Sequence, residues 1–174
     1  VDTRIEAFLD VVRRYRDLTD SAVNKRKLSV SGAFETAEVV KKANKVYVVT
    51  PDGKEYPIDH PKVKILVPSM GEVGAKMLAA TLSYVGANTV ALPPPGEKEL
   101  NYGRRYTTCK ECLPLLLTFG SLVRYLEEEW NGEDILVNFM PEASGPCRFG
   151  QYNVMMRELV GQKGIRNVAM LSLT

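Results

Sequence analysis

The order of apolar and polar positions divides the chain into alternating helical and extended stretches. Over residues 3–18, Ile5, Phe8, Leu9, Val12 and Tyr15 recur on one helical face behind a Thr3–Glu6 capping box, which predicts an amphipathic helix. Arg13, Arg14 and Arg16 then form its solvated side. Residues 19–30 are polar and show no period, and a second helix is expected over 31–43 with Phe34, Ala37, Val39 and Val40 buried. Val46–Thr50, the turn Pro51-Asp52-Gly53 and Lys54–Ile58 read as a β-hairpin.

After Pro61 the pattern becomes repetitive. Val63–Val67 reads as a strand, and Ser69 with Glu72 as a capping box opening a helix that runs to Gly86. Thr89–Leu92 is the next strand, stopped by Pro93-Pro94-Pro95-Gly96. A loop of about a dozen residues is expected to follow, carrying Lys98, Arg104 and Arg105. A helix starts near Leu113 with Pro114 in its first turn, stays apolar through Val123 and turns acidic at Glu127-Glu128-Glu129. Ile135–Met140 is a third strand. Ser144 is expected to cap a fourth helix with Pro146 and Cys147 at its start, a buried stripe of Phe149, Tyr152, Met156, Leu159 and Val160, and a stop at Gly161 and Gly164. Val168–Leu173 is the last strand. Strands alternating with helices predict a parallel sheet with right-handed crossovers. The expected architecture is α/β: a Rossmann-like three-layer lobe of about four parallel strands, preceded by helices and a β-hairpin. Residues 1–61 would be the lead-in and 62–174 the lobe.

Composition narrows this picture. A chain of 174 residues, 45% hydrophobic and 25% charged, can bury one ordinary core. A formal net charge of +2 gives no reason to expect nucleic acid or a membrane surface as partner. The longest apolar run, Leu113–Val123, is too short to span a bilayer and is interrupted by Thr118 and Gly120. The charged, helix-patterned N-terminus does not read as a secretory signal, so the expected compartment is the cytoplasm. Starting at Val1 and stopping just after a strand-like run, the chain reads as a piece of a longer protein.

The candidate chemistry lies in three cysteines, an odd number that suits metal or redox chemistry better than a disulfide framework. Cys109 and Cys112 stand in Thr107-Thr108-Cys109-Lys110-Glu111-Cys112-Leu113-Pro114, and Cys147 in Ser144-Gly145-Pro146-Cys147-Arg148-Phe149-Gly150-Gln151-Tyr152. In a parallel sheet both segments occupy strand-to-helix loops, where ligands collect. Helix N-termini and the neighbouring Lys110 and Arg148 favour thiolate, the species that binds iron or zinc. A Cys-x-x-Cys is shared by zinc sites, exchange disulfides and iron–sulfur clusters, and ordinary thiols near a turn also fit. His60, the one histidine, precedes the first parallel strand and reads as a surface loop residue, a poor fourth ligand. Ser69–Gly74 is a second candidate, a helix start for a nucleotide or CoA phosphate, although its spacing matches no phosphate-loop signature.

Cys109-Lys110-Glu111-Cys112-Leu113-Pro114 with Gly120, Phe139-Met140-Pro141 and the Ser144–Tyr152 run resemble the 2-hydroxyacyl-CoA dehydratase superfamily. The likeness is nearest to the dehydratase-like part of the large proteins known as 2-hydroxyglutaryl-CoA dehydratase activators, or acyl-CoA dehydratase activase-related proteins, and covers residues 62–174. It implies a [4Fe–4S] cluster held by Cys109, Cys112 and Cys147, which an aerobically prepared fragment could lack. Arg148 and Gln151 would be neighbours of the cluster or substrate. Low-potential electron transfer in an anaerobic cytoplasmic system is the implied role. The implied partners are flanking domains of the parent chain, including an ATPase-type activator, and an acyl-CoA substrate. The activator's phosphate-loop signature is absent from this stretch, and four strands cannot build a full substrate pocket, so catalysis by the fragment alone is not expected. The alternative is a non-catalytic α/β interaction or scaffold module with zinc-bound or free cysteines.

Overall fold

The computed structural model describes residues 36–43, 45–69, 71–108, 110–143 and 145–172. They all lie in one compact unit, Phe34–Thr174. The helix expected over 3–18 falls outside the described residues.

A three-stranded antiparallel sheet comes first: β1 (Glu38–Lys42), β2 (Lys45–Val49) and β3 (Glu55–Pro57). The expected β2–β3 hairpin is present, and Thr50 and Lys54 close it by a backbone bond of 2.9 Å. The helix expected over 31–43 is not formed at 38–42, which is β1. There Val39 stands opposite Val48, itself opposite Tyr56. The apolar positions fit a helical and an extended period about equally, and pairing with a strongly β-forming neighbour decides between them.

The main sheet is parallel, in the order β5–β4–β6–β7, from β4 (Val63–Val67), β5 (Thr89–Ala91), β6 (Ile135–Phe139) and β7 (Val168–Leu171). Every residue of β6 is buried, as expected of a strand covered on both faces. On one face, Ile65, Val137 and Ala169 meet Ala75 and Ala79 of α1 (Glu72–Tyr84) together with Val48 and Ala37. This core continues across position 61, because the antiparallel sheet packs into it. On the other face, Leu66 and Leu136 meet Phe119 and Leu122 of α3 (Leu113–Glu128) and Met156 and Val160 of α4 (Tyr152–Gln162). The result is the expected three-layer α/β lobe.

Three expectations about helix starts change. α1 is N-capped by Gly71 without a side-chain hydrogen bond, so the Ser69–Glu72 capping box is not made; Glu72 bonds Lys76 one turn on instead, at 2.6 Å. The expected long loop after β5 contains α2 (Glu97–Arg104), opened by Gly96 N–H donating to Glu99 Oε2 at 2.7 Å. The fourth helix begins later than expected. Cys147 caps a short 3-10 turn, Arg148–Gln151, and the α-helix starts at Tyr152; Ser144 lies outside the described residues.

α2 and α3 touch backbone to backbone. A Cβ on Gly103 would stand 2.2 Å from Leu116 O, and one on Gly120 1.8 Å from Glu99 O. Each helix therefore offers a glycine to the other, one turn from the residue it receives. The acidic end of α3 is anchored across the same crossing, with Lys98 and Tyr102 on Glu128 at 2.8 and 2.6 Å. Two of the cations expected in a loop, Lys98 and Arg105, are thus engaged with Glu128 and Glu127.

Candidate functional site

The chain runs from β4 outward to β5, then back across β4 to β6 and on to β7, so the order reverses between β4 and β6. α4 leaves the carboxyl end of β6, and α3 starts from that same edge before descending to it. The two helix starts bring the segments around Cys112 and Cys147 together, as parallel topology requires. Arg148 Nη1 donates to Lys110 O at 3.3 Å, and the Tyr152 hydroxyl stands 2.6 Å from Cys112 Sγ. Between them lies a cleft of about 740 Å³, within the usual range for small-ligand sites. Its apolar wall includes Leu115, Val154 and Met155, and its polar wall Lys110, Arg148 and Gln151.

Cys112 is the N-cap of α3, half-buried in the cleft wall, with its carbonyl taking Leu115 N–H at 3.0 Å. Cys147 is exposed and heads the 3-10 turn whose Arg148, Gln151 and Tyr152 line the cleft. That turn lies tight against the loop after β6: a Cβ on Gly150 would come 2.3 Å from Ala143 O, so the glycine of the Cys147–Tyr152 run is demanded by packing. Cys109 lies outside the described residues. Among the described residues, no three His, Cys, Asp or Glu side chains are grouped to hold a metal ion. His60 sits between β3 and β4, edge-on to Tyr56, with its Nδ1 accepting Lys62 N–H at 3.1 Å.

Two residues shape the site that the sequence reading gave no part in its chemistry: Glu111, and Tyr152, which was expected only as a buried helix position. Glu111 accepts Thr108 N–H, the Thr108 hydroxyl at 2.9 Å and Lys110 N–H at 3.0 Å. Burial opposes its charge, but these donors outweigh it and hold the carboxyl below its ordinary range. The Thr-x-x-Glu spacing of Thr108 and Glu111 was a readable signal for this closure. Tyr152 is buried, with Phe149 edge-on at 5.2 Å. Burial first, then the bond to Cys112 and the nearby charges of Cys112 and Cys147, push its phenol far above the ordinary tyrosine value. It keeps its proton beside the sulfur.

No family model matches this chain, and neither does any curated protein or solved structure. Among the described residues, no helix is long and apolar enough to cross a membrane.

Proposed function

We propose that this unit carries a [4Fe–4S] cluster held by Cys109, Cys112 and Cys147, and serves low-potential electron transfer in a 2-hydroxyacyl-CoA dehydratase or activator-type system. The observation that carries this reading is the meeting of the Cys112 and Cys147 segments, remote in sequence, at one cleft. Two of the three donors that this reading calls for lie in the described residues, one thiol on the cleft wall and a second at the head of the adjoining turn, and sulfur is a ligand suited to iron. When bound, a cluster of this kind supplies one-electron transfer at low potential.

The chain's own residues prepare the site for that use. Lys110 and Arg148 place positive charge beside the thiolates and offset their repulsion. Leu115 and Met155 add apolar surface to the cleft, and a drier lining makes hydrogen bonds to sulfur count for more. Gln151 offers an amide to a polar ligand in the cleft.

Anaerobic reconstitution with iron and sulfide, followed by iron and sulfide analysis and EPR of the reduced protein, tests the reading. A cluster signal is expected, and Cys147→Ser should abolish or change it. An unaltered signal in Cys147→Ser rejects the three-cysteine assignment. Purified protein with zinc or no metal, which resists reconstitution, points to the scaffold module instead.

A further inference from the structure

Within the proposed cluster site, on which this step rests, we infer that Tyr152 is a positioning residue for Cys112: its hydroxyl donates a hydrogen bond to Cys112 Sγ, fixing where that sulfur points and drawing charge from it. The contact measures 2.6 Å and joins side chains 40 positions apart, so it is made by the tertiary fold and not by a local turn. A thiol S–H is a weak donor beside a phenol O–H, and a sulfur that ligates a metal has no proton to give, so the phenol is the donor in the inferred pair.

The ring is held firmly enough to aim that proton. Tyr152 is only 4% exposed, packs in the core beside Met156 and Phe119, and has Phe149 edge-on. Cys112 is fixed from its own side, because its carbonyl also receives Leu116 N–H at 3.3 Å. A rigid donor and a sulfur on a helix cap form a defined pair. Hydrogen bonds to ligand sulfur lower its electron donation and raise the reduction potential of the group it holds.

The test uses Tyr152→Phe, which keeps the ring and removes the hydroxyl. In the metal-free protein, ultraviolet resonance Raman spectra of wild type minus Tyr152→Phe should show a hydrogen-donating phenol. That signature should be lost when the same subtraction is made in a Cys112→Ala background. A difference spectrum indifferent to the sulfur overturns the inference. In reconstituted protein, Tyr152→Phe should keep its iron content while its midpoint potential shifts to more negative values; an unchanged midpoint also overturns it. Should Tyr152→Phe not fold, the Raman spectra of wild type and Cys112→Ala, compared directly, decide the same question. Failure of the wild type to take up iron overturns the cluster reading alone, since the metal-free spectra judge the Tyr152–Cys112 bond separately.

Discussion

The two ends of α3 are built on opposite terms. Its middle and carboxyl end are closed: Gly120 lets α2 approach to backbone contact, and Arg124 reaches Glu99 at 3.0 Å and Glu129 at 3.0 Å. Arg124 Nε lies off the hydrogen-bonding direction to Glu99, so that contact is ionic, while Glu99's other oxygen accepts Gly96 N–H. Its amino end is open: Cys112 lines a cleft, Leu113 is 55% exposed, and Val154, also in the cleft lining, is 59% exposed. One helix thus joins a rigid crossing to a surface left uncovered. The difference separates residues kept for packing from residues kept for chemistry, since an open wall with a thiol adds little stability.

That contrast can be broken by mutation, and the largest effect should come from the crossing. Gly120→Ala places a Cβ against Glu99 O and must push α2 away, costing about 3 kcal/mol. For a chain of this size that lowers the thermal midpoint by about 6–12 °C; a loss under about 1 kcal/mol would show that the crossing is not tight. Arg124→Met leaves Glu99, 7% exposed, without its cation and should cost about 2–3 kcal/mol in urea unfolding. Adding Glu99→Gln should recover part of that loss, and additive penalties would deny the coupling.

At the open end the effects shrink. Gly150→Ala should cost about 1–2 kcal/mol, as the 3-10 turn shifts from Ala143, and should loosen the Tyr152–Cys112 contact in the Raman measurement. Leu113→Ser and Val154→Ser should each change stability by less than about 0.5 kcal/mol, because both side chains are already in water. A larger destabilisation would mean that the rim supports the fold.

A pH control away from the amino end of α3 uses Lys64 and Asp134, 2.9 Å apart and each about a quarter exposed. The bond from Lys64 lowers the Asp134 pKa, and that to Asp134 raises the Lys64 pKa. Asp134's contribution is therefore present above the ordinary carboxylate range and lost as pH falls through its lowered value. The Lys64 contribution is present at neutral pH and lost as pH rises through its raised value. Asp134→Asn should flatten the acid limb of a stability profile by under about 1 kcal/mol and leave the amino end of α3 unaffected. An unchanged acid limb would discount the pair.

Much of the parallel lobe was legible because its cues are local. Continuous apolar runs such as Ile135-Leu136-Val137 mark strands buried on both faces, and Pro114 marks the start of α3. The α2 helix was hidden by its proline-rich approach and by its dependence on Gly103 and Gly120, which only another helix makes useful. The 38–42 stretch looked helical because Ala37, Val39 and Val40 suit either period until β2 is beside them.

The sequence by itself determined the alternation of strands and helices, and with it the placing of the Cys112 and Cys147 segments at helix starts along one sheet edge. Local periodicity and chain connectivity suffice for that. Only the tertiary structure decided that Val39 pairs in a strand, that α2 lies on α3, and that the Tyr152 hydroxyl reaches Cys112 Sγ. Those outcomes depend on contacts between residues far apart in the chain, whose energies no local pattern records.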